Sequence, residues 1–483
     1  MLYHSTRCQT ACVDSCEAVI RGLAPDGGLY MPQALPAFDA AACLQKDFYG
    51  MAKQILRAFL PHIPNMDTLV ERAYRGKFSA ADLTPTAAVG AFHVLELYHG
   101  PTSAFKDVAL CMLPQLLTAA RKAKGMEEEL MILTATSGDT GKAALEGFKD
   151  VDGIRITVFY PHGGVSKVQR AQMVTQEGGN VCVCAVHGNF DDAQTGVKNI
   201  FSAFAGREGI HLSSANSINI GRLVPQITYY FKAYRDLLQS GAIKMGDKVN
   251  FSVPTGNFGD ILAGYLAKQL GLPVGKLICA SNANNVLTDF IRTGTYDRKR
   301  RLLKTQSPSM DILVSSNLER LLYLLSGDTA LVASLMAQLS SEGSYTVPDE
   351  LFSAITENFW AGCCDDATAR KAIGTVWQQH HYLTDPHTAC GWAAAQEYVQ
   401  ATGDNAPMVV LSTASAYKFP SAVLEALGQT GAADEFDQME QLFAITASPI
   451  PENLRTLRTK AERHSGVIDK EAMPRFVLEL LQK

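Results

Sequence analysis

Residues 129–142 read E-L-M-I-L-T-A-T-S-G-D-T-G-K, and this stretch indicates the class of fold. Residues 130–134 are an apolar run of strand length, a turn with two glycines follows, and the chain becomes helical near Lys142. The succession of strand, glycine-rich turn and helix recurs at residues 249–270. Because strands that alternate with helices form mostly parallel sheets, we expect an α/β fold in which helices cover the sheets on both faces.

Turn-forming residues divide the chain of 483 residues into three predicted parts. Residues 1–85 form an N-terminal module, and Pro85 lies at its join to the next part. Residues 86–425 are the main region, which begins with alternating strands and helices and continues from residue 286 to 400 largely as helices. Residues 426–483 are expected to be a helical tail that packs on the main region.

The composition is that of a globular protein with a large core, because 47% of the residues are hydrophobic and 19% are charged. The formal net charge of -5 gives no electrostatic reason to expect nucleic acid or an anionic membrane as partner. We find neither an apolar run of membrane-spanning length nor a signal-like N-terminus, and therefore expect a cytoplasmic protein. The 11 cysteines then predict free thiols, and the spacing of Cys8, Cys12 and Cys16 matches no zinc pattern, so we expect no metal.

Lys106 is predicted to lie at a junction between a loop and a helix. The turn-forming Gly100 and Pro101 precede it, and apolar residues recur at helical spacing from 109 to 117. A lysine among apolar residues loses its proton readily, because desolvation disfavours the charged form. Such a neutral amine is what Schiff-base chemistry requires. The alternative is a lysine at the start of a surface helix.

Two turns between a strand and a helix are candidate anion sites. Residues 137–141 place backbone N–H groups at the positive end of a helix dipole, as do residues 256–260. The first turn is not a Walker A loop, because Thr136 replaces its first glycine, and the second lacks the dinucleotide pattern G-x-G-x-x-G. The first turn could also be a tight αβ crossover turn. Together they suggest two phosphates, one on a cofactor and one on a substrate or leaving group.

Three further stretches supply polar groups. Hydroxyl residues around Thr413 end a strand, at a sheet edge where ligands bind, and can bond a ring nitrogen. Asn219 and Arg222 precede a long helix, and Arg222 is a candidate for bidentate phosphate binding or for a surface salt bridge. His387 lies in a helix-start signature and is expected to be structural more often than catalytic. Neither a Ser–His–Asp order nor an H-E-x-x-H motif stands out.

The order of these blocks resembles the threonine synthase family. The resemblance spans essentially the whole chain, and the combination of blocks is far more specific than any one of them. The matching blocks, in order, are residues 3–7 (Y-H-S-T-R), 26–30 (D-G-G-L-Y), 97–107 (L-Y-H-G-P-T-S-A-F-K-D), 136–141 (T-S-G-D-T-G), 216–219 (N-S-I-N), 256–260 (G-N-F-G-D), 385–388 (D-P-H-T) and 412–415 (S-T-A-S).

The resemblance implies a two-lobed, fold-type-II enzyme that uses pyridoxal 5'-phosphate, with its active site between the lobes. It implies a carbon–oxygen lyase acting on phosphates, which converts O-phospho-L-homoserine and water to L-threonine and phosphate in the last step of threonine biosynthesis. Lys106 would bond to the cofactor and carry protons, and Thr413 would meet the pyridine nitrogen. The cofactor phosphate would be held by Gly256, Asn257, Phe258, Gly259 and Asp260. The substrate would be bound by Thr136, Ser137, Asp139, Thr140, Asn219 and Arg222.

Two alternatives stand beside this prediction. The first is another enzyme of the same fold, a threonine-synthase-like phospho-lyase or a serine/threonine deaminase; the N-terminal module and the second anion turn argue against a deaminase. The second is a non-catalytic binding protein, against which the intact Lys106 argues. The chain departs from the family at Cys8 (often Gly), Ala416 (often Pro) and Ser103 (often aliphatic), and Ser103 lies close to the lysine. We expect a monomer or a weak homodimer.

Overall fold

The N-terminal module is a small sheet with helices packed beside it. The computed structural model describes residues 1–204 and 211–482. The sheet is antiparallel with the order β2-β1-β3. Its elements are β1 Leu2–Ser5, β2 Cys8–Asp14, α1 Ser15–Arg21, β3 Tyr30–Pro32, α2 Ala40–Leu44, α3 Phe48–Phe59 and α4 Met66–Tyr74.

The main region begins with a hairpin and a long helix and continues with strands and helices in alternation. The hairpin is formed by β4 and β5, which pair antiparallel. In chain order the elements are β4 Thr86–Val89, β5 Phe92–Glu96, α5 Lys106–Ala123, β6 Leu130–Ala135, α6 Asp139–Phe148, β7 Ile154–Pro161, α7 Lys167–Val174, β8 Val181–Val186, α8 Phe190–Phe204, β9 His211–Ser213, α9 Ile220–Leu223 and α10 Ile227–Gln239.

The second half of the main region contains most of the larger sheet. Its elements are β10 Val249–Pro254, α11 Gly259–Gln269, β11 Val274–Ser281, α12 Val286–Thr293, β12 Thr295–Asp297, α13 Leu318–Ser326, α14 Thr329–Ser341, β13 Ser344–Thr346, α15 Asp349–Asn358, β14 Phe359–Cys363, α16 Asp366–His380, α17 Pro386–Thr402, β15 Met408–Ser412 and α18 Pro420–Ala426. The tail adds α19 Glu435–Thr446, α20 Glu452–Arg455, β16 Gly466–Ile468 and α21 Met473–Leu481.

Two separate sheets carry the two lobes. The larger has the order β14-β11-β10-β15-β5-β4 and is parallel apart from the β4–β5 hairpin, and the smaller, β16-β8-β7-β6-β9, is parallel throughout. All residues of β6, β10 and β15 are buried, as expected of strands covered on both faces. The predicted α/β fold with mostly parallel sheets is therefore confirmed.

Four strands lie in stretches that the sequence indicated as largely helical: β12 and β13 pair with each other, whereas β14 and β16 join the two main sheets. The region from 286 to 400 was expected to be largely helical, but β14 joins the larger sheet beside β11. The tail was expected to be helical, but β16 extends the smaller sheet by pairing with β8. Strands β14 and β16 are short, with five and three residues, so neither is long enough to give a clear alternating pattern.

Helix α5 connects the two lobes and positions the site. It begins at Lys106, after β5 of the larger sheet, and it packs along α6 of the smaller lobe. The two helices approach closely because α6 has a glycine at the crossing: a Cβ on Gly147 would lie 2.0 Å from the carbonyl oxygen of Leu110. This contact brings Asp139, the first residue of α6, towards Lys106.

Candidate active site

Lys106 is buried at the first position of α5, which excludes a lysine on a surface helix. Its Nζ donates to the Oγ of Ser309 at 3.3 Å and lies 3.9 Å from an Oδ2 of Asp139. Burial lowers the pKa of Lys106 from 10.5 to about 8, although the Asp139 carboxylate acts in the opposite direction. The side chain therefore reaches its neutral form much more readily than an ordinary lysine.

The loop before Lys106 is held in place by the end of β15. Phe105 donates its N–H to the carbonyl of Thr413 at 2.8 Å, and Ser415 donates to the carbonyl of Ser103 at 3.1 Å. Ser103 has a φ of +58°, which a non-glycine residue adopts only when its surroundings hold it there. The hydroxyl-rich strand end thus lies directly against the lysine loop.

Side chains from three other segments fix the remaining carbonyl groups of this loop. Asn453 in α20 donates to the carbonyl of Pro101 at 2.7 Å, and its Oδ1 accepts from the Ser103 hydroxyl at 3.0 Å. The carbonyl of Thr102 accepts from Lys418 at 3.1 Å and from Gln172 at 3.2 Å. The loop therefore depends on the tail as well as on the main region.

Asp139 is the most heavily bonded acidic group beside Lys106. Lys418 lies 2.7 Å from its Oδ1, Gln169 donates to the same oxygen at 3.0 Å, and the Ser309 hydroxyl donates to Oδ2 at 3.4 Å. Burial alone would raise the pKa of this carboxyl, but the Lys418 and Lys106 ammonium groups outweigh burial and hold it well below its usual range. Asp139 is therefore a buried carboxylate that two lysines share.

The turn before α6 contains one side chain that fixes its shape and two hydroxyls that are free. The Oγ1 of Thr136 accepts from the N–H groups of Gly138 and Gly141, at 3.0 and 2.9 Å, and so fixes the turn. The hydroxyls of Ser137 and Thr140 are half-buried and make no hydrogen bond within the described residues. These two hydroxyls are available for a ligand.

The loop at residues 256–260 presents a row of free backbone donors at the start of α11. None of its five N–H groups donates to an acceptor in residues 1–204 or 211–482. The loop carbonyls, in contrast, are bonded by residues 307–317, which we call the cover segment: Ser315 Oγ donates to the carbonyl of Gly256 at 2.7 Å and Asn317 to that of Asn257 at 2.9 Å. Free donors on one side of a loop form a site for an anion.

The Asp260 side chain does not face the same way as its N–H group. Its carboxylate accepts from the hydroxyls of Tyr229, at 2.6 Å, and Tyr230, at 3.0 Å. Burial raises its pKa to about 6, against the effect of these two hydrogen bonds. Asp260 thus contributes its backbone to the loop and its side chain to the packing of α10 against α11.

The other two predicted substrate contacts, Asn219 and Arg222, differ in whether a polar side-chain atom is left free for a ligand. Asn219 caps α9 by accepting from Gly221 at 2.9 Å and donates to the carbonyl of Val19 at 2.9 Å, so both its polar side-chain atoms have partners in the fold. Arg222 is buried, which excludes a surface salt bridge; its Nη1 donates to the carbonyl of Ala215, while its Nε has no hydrogen-bond partner among the described residues. Arg222 keeps a free donor, and Asn219 does not.

His387 supports the site from behind the cover segment. Its Nδ1 lies 2.7 Å from Asp385 and its Nε2 lies 3.2 Å from the N–H of Ser309. Because a backbone N–H can only donate, Nε2 is the acceptor, and the ring proton is on Nδ1 facing Asp385. His387 therefore positions Ser309, in agreement with the structural role that the sequence indicated.

The sequence analysis missed Ser309, Lys418 and Asn453. Ser309 lies in a Ser-Pro-Ser turn, and Lys418 follows the hydroxyl-rich strand end by a few residues in an apolar context, so both positions carry a weak local signal. Asn453 carries none, because its importance arises only from the contact between α20 and the lysine loop.

Comparison with known proteins finds the same family along the whole chain. Models for the threonine synthase N terminus, for pyridoxal-phosphate dependent enzymes and for the threonine synthase C-terminal domain match residues 2–74, 80–414 and 388–477, respectively. The threonine synthase of Pseudomonas aeruginosa is 40% identical over 480 residues, which cover 96% of this chain and 99% of that protein. The chain belongs to the threonine synthase family. The predicted family is thereby confirmed, and so is its dependence on pyridoxal phosphate.

Two further members of the threonine synthase family, one solved structure and one longer protein, extend the comparison. The crystal structure of threonine synthase from Brucella melitensis with bound PLP is 38% identical, has a TM-score of 0.88 and covers 100% of this chain and 99% of that one. Human threonine synthase-like 1 is 40% identical over 435 residues, which are 85% of this chain but only 58% of that longer protein. The match to a complete threonine synthase structure extends over all parts of the fold described above.

The residues present fit the cofactor of the threonine synthase family. The free N–H groups of Gly256, Asn257, Phe258, Gly259 and Asp260 suit a phosphate dianion at a helix N-terminus. Lys106 supplies the amine, and the Thr413 hydroxyl, which has no hydrogen-bond partner in the described part of the chain, can meet a ring nitrogen. These contacts to the cofactor remain predictions, residue by residue.

Proposed function

We propose that the chain is a threonine synthase that converts O-phospho-L-homoserine and water to L-threonine and phosphate, the last step of threonine biosynthesis. The observation that carries this proposal is the position of Lys106. Lys106 is close to both candidate anion sites. Its Nζ lies 3.9 Å from Asp139 in the turn before α6, and its hydrogen-bond partner Ser309 lies against Gly256 at the start of the loop 256–260. One cofactor phosphate and one substrate phosphate require two such sites.

Pyridoxal phosphate, when bound, supplies an electron sink that lets carbon atoms near the substrate amine lose protons. The protein supplies the base: Lys106 can hold and return a proton near neutral pH because burial lowers its pKa to about 8. Ser309 Oγ accepts from Lys106 and so fixes the direction of its amine. Phosphate leaves from Cγ, and the hydroxyl of water adds at Cβ. The protons lost from Cα and Cβ are balanced by protons gained at Cγ and Cα, and the remaining proton of water leaves with the phosphate.

Substrate contacts are proposed from the free groups in the site. Ser137 and Thr140 would donate hydroxyls to the carboxylate or phosphate of the substrate, and Arg222 would offer its unpaired Nε. Thr136 and Asp139 would act through the shape and charge of the same turn. Asn219 stays a predicted contact, although its polar atoms are bonded within the fold.

Three further expectations, on domain division, location and oligomeric state, belong to the same proposal. The N-terminal module at 1–85, the catalytic region at 86–425 and the tail at 426–483 are proposed as the functional division of the chain. We propose a cytoplasmic location and a monomer or weak homodimer. No helix within the described ranges, 1–204 and 211–482, combines the length and apolar character that a membrane crossing requires.

The decisive experiment supplies purified protein and pyridoxal phosphate with O-phospho-L-homoserine and measures phosphate and threonine together. We expect equal amounts of both products, and no release of ammonia from serine or threonine. Lys106→Ala should abolish turnover and the absorbance of the bound cofactor, whereas Lys122→Ala, at an exposed position of the same helix, should change neither. Phosphate without threonine, or ammonia from serine, would refute the proposal.

A further inference from the structure

Lys418 is a completely buried lysine that the reaction described above does not use. It ends the short helix Ala416–Lys418, which follows β15, and its side chain has an exposed fraction of 0%. Its Nζ lies 2.7 Å from Oδ1 of Asp139 and donates to the carbonyl of Thr102 at 3.1 Å. A buried ammonium group is costly unless it is paired, so Lys418 depends on Asp139 for its place in the fold.

Asp139 is shared unequally between two lysines. Its Oδ1 is occupied by Lys418 and by Gln169, whereas its Oδ2 faces Lys106 at 3.9 Å, beyond hydrogen-bond distance. The carboxylate charge is therefore closer to Lys418 than to Lys106. Ser309, which donates to Oδ2, stands between the carboxylate and the second lysine.

We propose that Lys418 is a positioning residue for Lys106: it binds and neutralises Asp139, so that Asp139 does not hold Lys106 in its charged form. The inference rests on the role of Lys106 in the proposed function, but it concerns a property of Lys106 that can be measured without substrate. The two proposals can therefore fail separately.

The charges around Lys106 support this assignment. Burial is the largest effect on its pKa and lowers it; Asp139 raises it, Lys418 and Arg222 lower it, and Asp260 raises it. His387, which lies behind Ser309, is bonded to Asp385 through Nδ1 and accepts from the N–H of Ser309 through Nε2. Removing the charge of Lys418 therefore leaves the attraction of Asp139 for a charged Lys106 with less opposition.

The test measures the titration of Lys106 in the full chain after removal of the cofactor. Acetic anhydride labels neutral amines, and mass spectrometry of the peptide that contains Lys106 gives the labelled fraction at each pH. Lys418→Gln keeps hydrogen-bonding capacity but removes the charge, and should raise the pKa of Lys106 by at least about one unit, which is a tenfold loss of neutral amine at pH 7. Lys418→Arg keeps the charge and should restore the parent titration.

Two further variants separate this role from a structural one. The double variant Asp139→Asn with Lys418→Gln removes both charges. Lys106 should titrate in it as in the parent, because an ion pair without net charge is replaced by two uncharged side chains. Lys142→Gln removes another buried lysine of α6, paired with Glu146 at 2.9 Å, and should leave Lys106 unchanged. A folded Lys418→Gln protein with the parent titration would overturn the proposal. If that variant does not fold, the double variant still tests the proposal. A pKa of Lys106 about one unit below that of the parent would overturn it, because it would show that Lys418 does not offset the effect of Asp139 in the parent protein.

Discussion

Gly256 gives the most direct test of the cofactor loop, because a single methyl group there meets the cover segment. A Cβ at this position would lie 2.6 Å from the carbonyl oxygen of Ser309 and 3.5 Å from the Cα of Met310. Ordinary van der Waals contact begins at 3.4 Å, so the two backbones must separate by about 0.8 Å in Gly256→Ala. The cover segment resists this shift, because Ser309 is bonded to His387 and Ser315 is bonded to Gly256 itself.

The strain from inserting such a group into a packed region is about 1–3 kcal/mol. If the loop relaxes only when the cofactor leaves, pyridoxal phosphate should bind about 5- to 150-fold more weakly. Titration of the cofactor-free protein, followed by the absorbance of the bound cofactor, measures the change. Gly179→Ala is the matched control, since its Cβ would meet its nearest neighbour only at 4.0 Å. Parent affinity and parent thermal stability in Gly256→Ala would refute the argument that backbone contact fixes the loop.

Two other predictions follow from the lysine and its loop. Asn453→Ala removes two hydrogen bonds of about 1 kcal/mol each and should lower kcat/KM about 30-fold, whereas Ser103→Ala removes one and should lower it about fivefold. Arg455→Ala, at an exposed position of the same helix, should have no effect. Equal losses in all three variants would contradict the role of Asn453 in holding the lysine loop. Because Lys106 has a pKa of about 8, its neutral fraction increases with pH through that value, and the rate of cofactor binding should rise about tenfold from pH 7 to 9 and then level off. An ordinary lysine would instead give a rise that continues beyond pH 10, which stopped-flow absorbance would reveal.

The parts of the fold that could be predicted from the sequence are those set by local pattern. A turn followed by apolar residues at helical spacing placed Lys106 at the start of α5, and the two glycine-rich turns were expected directly before helices, where α6 and α11 begin. Such features depend on a few adjacent residues, whose backbone preferences and side-chain periodicity act together.

The missed features depend on contacts between distant parts of the chain. Lys418 meets Asp139, and Ser309 meets Lys106, across more than 200 residues of sequence, so no spacing rule links them. Asn219 illustrates the reverse case. Its amide looks suited to a ligand, but the start of α9 and the carbonyl of Val19 take both of its polar atoms. Whether a polar side chain is free can be decided only when its neighbours are known.

The late position of β16 in the sequence leaves one edge of β8 unpaired while the chain is being synthesised. In this pair Gly466 lies opposite Cys184, so about 280 further residues must be synthesised after β8 before β16 is available. At the usual 5–20 residues per second, the edge of β8 stays open for about 15 to 55 seconds, long enough for a strand from another molecule to occupy it. Until residues 466–468 are synthesised, that edge of β8 is exposed to pairing with other chains.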